Sequence, residues 1–234
     1  MRWLAISAAF GLSVASGALA EDLAMSGTVV ELYTSQGCPS CPPADAFLRR
    51  LADDPDVIAL ALHVDYWDYI GWADRFAQPV FTQRQKAYAH LVGSKTIYTP
   101  QMIVGGHEQV AGTEPAQVER AIRRDQREGP LVQLHLTRQG DQVVIDAQAP
   151  AGFRGPVQVD LVRYHPLALV QIEYGENAGL VMDYANIVTE WETLGQWDGT
   201  GALQLTAKAV GTDAVVVILQ AAGQGRILAA AQIK

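Results

Sequence analysis

ELYTSQGCPSCPPADAFLRRLA, from Glu31 to Ala52, holds the only two cysteines of a 234-residue chain, Cys38 and Cys41. The preceding run, TVVELYT (residues 28–34), alternates and is rich in β-formers, so it predicts a strand. Gly37 supplies a turn, and Phe47, Leu48 and Leu51 then fall at helical spacing behind two prolines, which a first helical turn tolerates. The C-x-x-C is therefore expected where a strand gives way to a helix. A disulfide between residues three apart closes so small a ring that it removes little chain entropy. Structural stapling is a poor reason for the pair.

Outward from this stretch, VIALALHV (57–64) is a continuous apolar run, as in a strand buried on both faces of a parallel sheet. A helix is expected from about Pro79 to Leu91. QMIVGGHEQVAG (101–112) reads as a hairpin turning at Gly105-Gly106, and EPAQVERAIRRDQRE (114–128) as a charged amphipathic helix. Two strands joined by a helix predict a right-handed crossover and a parallel pair. At Gly129-Pro130 the character changes to repeated short β-type runs, among them LVQLHLT, QVVIDAQ, PVQVDLVRY, ALVQIEY, ALQLTAKAV, AVVVILQAA and RILAAAQI. These predict an antiparallel sandwich, with IVTEWETLG (187–195) open between helix and strand.

The first twenty residues have one early charge, Arg2, then an apolar run ending in Ala18-Leu19-Ala20 before Glu21-Asp22. That is the layout of a cleaved secretory signal peptide, and it predicts a location in the periplasm or outside the cell. The net charge of −8, one unit more negative without Arg2, and the lack of a basic run predict no nucleic-acid partner and no membrane association after cleavage. The expected organisation is a signal peptide over 1–20, an α/β domain over 21–129 and a small all-β, sandwich-like domain over 130–234.

At a helix start Cys38 would face unpaired backbone N–H groups and the positive end of the helix dipole. Both favour thiolate over thiol and make Cys38 the attacking sulfur. Cys41, one turn further in, would be the shielded, resolving thiol.

Strand, C-P-S-C, helix and strand, then Thr99-Pro100 before a hairpin and a closing helix, resemble the thioredoxin superfamily. VELYTSQGCPSCPPAD, ALHVDYWDYIGW, YTPQMIVGG, YGENAGLVMDYANIV and LGQWDG are similar to the secreted bacterial thioredoxin-like proteins grouped as domain of unknown function 1223, over nearly all of the chain after residue 20. The resemblance implies an α/β thioredoxin-like fold for the first domain. It implies that Pro100 matches the cis-proline facing the C-x-x-C, with Thr99 beside it, where an extended substrate strand is held. It also implies that Glu31 stands for the buried carboxylate that accepts the resolving cysteine's proton, although it lies one residue further from the first cysteine than the family pattern; a solvent-facing Glu is the alternative. Two departures are visible: Gly37 replaces the tryptophan that commonly precedes the first cysteine, and Pro39-Ser40 lacks the histidine of the strong periplasmic oxidants.

Ligands of open α/β sheets bind at the carboxyl ends of the strands, so HVDYWD and the cysteines should share one edge. Tyr66 and Trp67 are then expected to line a substrate groove, with Trp72 in the core. His63, at a strand end, is either a hydrogen-bonded structural residue or a partner of the thiols, and His107 lies beside the hairpin turn. Glu173, Glu176, Asn177, Asp183, Asn186 and Asp198 read as a solvated loop face.

Two functions follow as expectations. The first is an exported thiol–disulfide oxidoreductase that needs no dissociable cofactor and no metal. It would act on a protein or small-thiol substrate and be recycled by an unidentified redox partner. The second is a non-catalytic protein that binds copper, zinc or a partner with the same cysteines, which soft thiolates suit. Exchange calls for an exposed Cys38; a metal site calls for converging thiolates and a further ligand such as His63.

Overall fold

The computed structural model describes residues 24–234; the expected signal peptide over 1–20 lies outside the described residues. The strands are β1 (Met25–Ser26), β2 (Thr28–Thr34), β3 (Val57–His63), β4 (Gln101–Val104), β5 (Glu108–Ala111), β6 (Gln133–Gln139), β7 (Gln142–Gln148), β8 (Val157–Gln171), β9 (Val181–Trp197), β10 (Ala202–Lys208), β11 (Ala214–Ala221) and β12 (Ile227–Ile233). The helices are α1 (Pro42–Leu51), α2 (Pro79–Leu91) and α3 (Pro115–Glu128).

The expectation of an α/β thioredoxin-like domain followed by a small all-β domain is overturned. Of the described residues 44% are strand and 19% helix, and nine strands run in one curled, mixed sheet in the order β1-β12-β11-β8-β9-β3-β2-β4-β5. Strands from both sides of Gly129 hydrogen-bond in that sheet. β2 and β3 are parallel, while β4 and β5 add antiparallel on one side. The bridge to the C-terminal strands is a parallel pairing of β3 with β9 at Ala61 and Ile187. A second sheet, β10-β7-β6, is antiparallel.

The core explains this architecture. Val215, Val217 and Leu219 of β11 face the three-stranded sheet, where Val143 and Ile145 meet them. The alternate residues Val216 and Ile218 face the other way, against Ile58, Leu60 and Leu62 of β3 and Phe81 and Tyr88 of α2. The β11 run is uninterruptedly apolar because both of its faces are covered, although its neighbours are antiparallel. A sandwich sheet with one wet face would alternate. On the far face of β2, β3 and β4, α1 and α3 bury Phe47, Leu48, Val118 and Ala121 against Val30, Leu32, Ala59 and Met102.

One buried ion pair ties α2 to both halves of the sheet. The Arg84 guanidinium donates from Nε and Nη2 to the two Glu31 oxygens at 2.7 and 2.8 Å, and further to Gln220 Oε1 of β11 at 3.0 Å. Tyr33 and Tyr88 hydroxyls also donate to Glu31, and Arg84 lies 3.8 Å from the centre of the Trp191 ring. Burial alone would lower the Arg84 pKa, but the Glu31 carboxylate together with the Tyr88 and Tyr33 phenols raises it and holds the guanidinium charged.

Candidate active site around Cys38 and Cys41

Cys38 and Cys41 form a disulfide, with Cα atoms 5.4 Å apart. Cys41 occupies the N-cap position of α1, with prolines in the first turn. The loop is wound tightly: Cys38 N–H donates to Ser35 O, and Cys41 N–H to Cys38 O. Pro39 and Ser40 are exposed, but both cysteines are 0% exposed.

Three segments converge on this loop. The first carries the cis Thr99–Pro100 peptide. Ser40 Oγ donates to Thr99 O at 3.4 Å, while Ser40 Oγ and Cys38 Sγ lie 3.5 Å apart. Pro100 packs near Ala44 of α1 around Gly112, where a Cβ would come within 2.7 Å of Pro100 Cβ and 3.2 Å of Ala44 Cβ. Gln85 of α2 holds the segment in place by donating to Tyr98 O and Gln101 Oε1.

The second is the aromatic stretch. Trp67 Nε1 donates to Thr99 Oγ1 at 2.7 Å, and Tyr66 OH donates to Gln85 Oε1. Burial pushes the Tyr66 phenol up to about 12. Trp67 Cβ and Ile70 Cδ1 press on Gly37, where an added Cβ would meet them at 3.3 and 3.1 Å. A side chain at residue 37 would require Ile70 and Trp67 to give by a few tenths of an ångström. Trp72, half-buried, donates to Gln36 Oε1 and tilts against Tyr174, whereas Tyr69 is 81% exposed.

The third comes from the far end of the chain. The loop between β8 and β9 places Asn177 against the cysteines, its Nδ2 donating to Gln36 O at 2.8 Å and Cys38 O at 2.9 Å. Asn177 and Asn186 are buried, whereas Glu173, Glu176, Asp183 and Asp198 are solvated.

Of the expected site residues, the structure brings Cys38, Cys41, Thr99, Pro100 and Trp67 together, with Tyr66 one layer behind. Glu31 lies on the α2 face of β2, whereas Val30 and Leu32 face α1, so the sheet separates it from the helix that carries Cys41. His63 is on the α1 face, fully buried. Its Nδ1 lies 2.7 Å from Asp74 Oδ2, which also accepts from Gln36 N–H, and its ring meets Phe76 and Tyr184 edge-on. His107 bonds its own turn, at Gly105 O. Asp45, Asp74 and Gln36 escaped the sequence reading, and Asn177, expected on a solvated loop face, is instead buried against the cysteine loop. The one available signal was Asp45, an acid on the apolar stripe formed by Ala44, Leu48 and Leu51. Among the described residues no group of three or more His, Cys, Asp or Glu is placed to hold a metal ion.

The chain belongs to the family described as protein of unknown function (DUF1223), which it matches over residues 29–220. It is similar to protein AGR_C_4864 from Agrobacterium tumefaciens, a crystal structure with 33% identity and a TM-score of 0.76, covering 88% of this chain and 93% of that one. HBP35 of Porphyromonas gingivalis shares the fold at 14% identity and a TM-score of 0.61, over 89% of this chain and 74% of that one. No curated protein matches the sequence.

Proposed function

We propose that this protein carries out thiol–disulfide exchange through Cys38 and Cys41, in an oxidising compartment outside the cytoplasm. The observation that carries the reading is the position of the disulfide: it closes at the first turn of α1, next to the Thr99–Pro100 segment that Ser40 touches. The succession of β2, C-P-S-C, α1 and a proline opening β4 is similar to the redox module of the thioredoxin superfamily, and this local likeness supports the assignment. In the reduced protein Cys38 thiolate attacks a substrate disulfide and releases one substrate thiolate. Cys41 then attacks Cys38 Sγ, the mixed disulfide breaks, and the second substrate thiol leaves. The protein loses two electrons and the substrate disulfide gains them. A separate thiol–disulfide partner restores the pair.

Burial of both sulfurs constrains this reading. Exchange requires the Trp67–Ile70 cover or the Asn177 loop to lift, because no thiol reaches the sulfurs as they stand. The same burial favours a second reading, a non-catalytic partner-binding protein whose disulfide stays closed. Redox titration of the protein in glutathione buffers, with Cys41→Ser to trap substrates from a periplasmic extract, separates the two. A measurable potential with discrete trapped partners is expected; a pair that glutathione cannot reduce and that traps nothing would establish the second reading. Among the described residues no helix is long and apolar enough to cross a membrane, which is silent on any β-barrel.

A further inference from the structure

Beneath the first turn of α1 lies a cluster of polar side chains that the exchange scheme above does not use. Thr34 and His63 are register partners on the parallel strands β2 and β3, both on the face that carries α1. Asp45 of α1 and Asp74 of the loop before α2 complete the cluster, and all four are at most 5% exposed. Asp74 is spoken for by His63 and the Gln36 N–H. Both Asp45 oxygens, His63 Nε2 and Thr34 Oγ1 have no hydrogen-bond partner among the described residues. Burying an unpartnered carboxyl is expensive, and the packing of α1 gives no reason for it: Ala44, Phe47, Leu48 and Leu51 already supply its apolar face.

Asp45 follows Cys41 by one helical turn, and its backbone N–H donates to Cys41 O at 3.0 Å. Helical side chains lean toward the N-terminus, so the Asp45 carboxyl covers the turn that begins at Cys41. Glu31 has no such freedom, being occupied by Arg84, Tyr33 and Tyr88 on the opposite face of the sheet.

We infer that Asp45 exchanges a proton with the Cys41 thiol, from a buried cluster that it shares with the His63–Asp74 pair. This rests on the exchange reading and moves the proton-accepting role from β2 to α1. In the mixed disulfide between Cys38 and a substrate, the Asp45 carboxylate takes the proton from Cys41 Sγ. The resulting thiolate attacks Cys38 Sγ, the Cys38–Cys41 bond forms, and the Cys38–substrate bond breaks. The substrate thiolate departs and is protonated by solvent, and Asp45 returns its proton to solvent. In the reverse direction Asp45 protonates the Cys41 thiolate as it leaves.

Burial pushes Asp45 up to about 7, against the pull of His63 and of the nearby Thr34 hydroxyl, and with a small push from Asp74. Tyr184 of β9 also faces the cluster; burial first, then Asp45 and Asp74, keep its phenol protonated. A group poised near neutrality is suited to giving and taking protons.

The test is the pH dependence of resolution of a Cys38–glutathione mixed disulfide, formed by adding oxidised glutathione to the reduced full-length protein. In the wild type the rate should rise through an inflection near pH 7. Asp45→Asn should slow resolution about a hundredfold at pH 7 and abolish the inflection, and Asp45→Glu should recover part of both. A folded Asp45→Asn protein with an unchanged profile overturns the assignment and leaves the exchange reading standing. A wild-type protein that forms no mixed disulfide takes both down. If Asp45→Asn does not fold, the redox difference infrared spectrum of the wild type decides: a carboxyl band that changes on reduction near pH 7 is expected, and its absence overturns the proposal.

Discussion

Asp45 imposes a pH dependence on stability that no surface carboxylate would. Its folded-state pKa, about 7, lies above the ordinary 3.8 because burial penalises the charged form. Below the unfolded value the group is protonated in both states and adds no pH dependence. As the pH rises from about 4 to 7 the unfolded chain releases a proton that the folded chain retains, so stability falls by up to roughly 4 kcal/mol and then levels off. His63 and Asp74 beside it modulate this, but the sign is set by burial. Asp45→Asn should therefore gain on the wild type across that window and show a flat difference above it. Urea unfolding of the oxidised proteins at pH 5 and pH 8 measures it.

At the scale of the element, the loop joining β8 to β9 acts on the cysteine loop through a single side chain. Asn177→Ala leaves Gln36 O without its donor and Cys38 O with only the Cys41 N–H, at a cost of about 1–3 kcal/mol for a buried carbonyl. That cost falls on the closed state of the cover, so opening becomes more frequent. Each 1.4 kcal/mol is a factor of ten, and reduction of the disulfide by dithiothreitol should speed up about tenfold or more. A reduction rate equal to that of the wild type would mean that Asn177 is not what holds the cover down.

For the whole molecule, the Glu31–Arg84 pair joins strand β2, helix α2 and, through Gln220, strand β11. Arg84→Met strands a buried carboxylate among phenols, which should cost roughly 3–5 kcal/mol. Because paired charges are also expensive to desolvate, Glu31→Gln combined with Arg84→Met should recover much of that loss. Thermal unfolding monitored from both halves, by near-ultraviolet circular dichroism and by Trp191 fluorescence, should give one transition in each variant. Two separated transitions would show that the shared sheet is not the unit of cooperativity.

Local periodicity had placed the Cys38–Cys41 turn, the α1 and α2 helices and the β4–β5 hairpin, because these depend on residues near in sequence: prolines at N1, apolar spacing along α1, and Gly105 and Gly106 at φ of 60° and 74°. The pairing of β9 with β3 depends on Ala61 meeting Ile187, a contact with no local signature. The burial of both faces of β11 was written in AVVVILQA, but what covers each face is decided by strands and a helix far away in the chain. The site divides in the same way. Cys38, Cys41, Thr99 and Pro100 are legible as motifs. The cover from Asn177, the capture of Glu31 by Arg84 and the placing of Asp45 over Thr34 and His63 arise only where distant segments meet. The sequence by itself determined the cysteine pair and the helix that carries it. The tertiary structure decided that the pair is closed off from solvent, and which buried carboxyl stands behind it, because burial and side-chain partners are properties of the packed sheet.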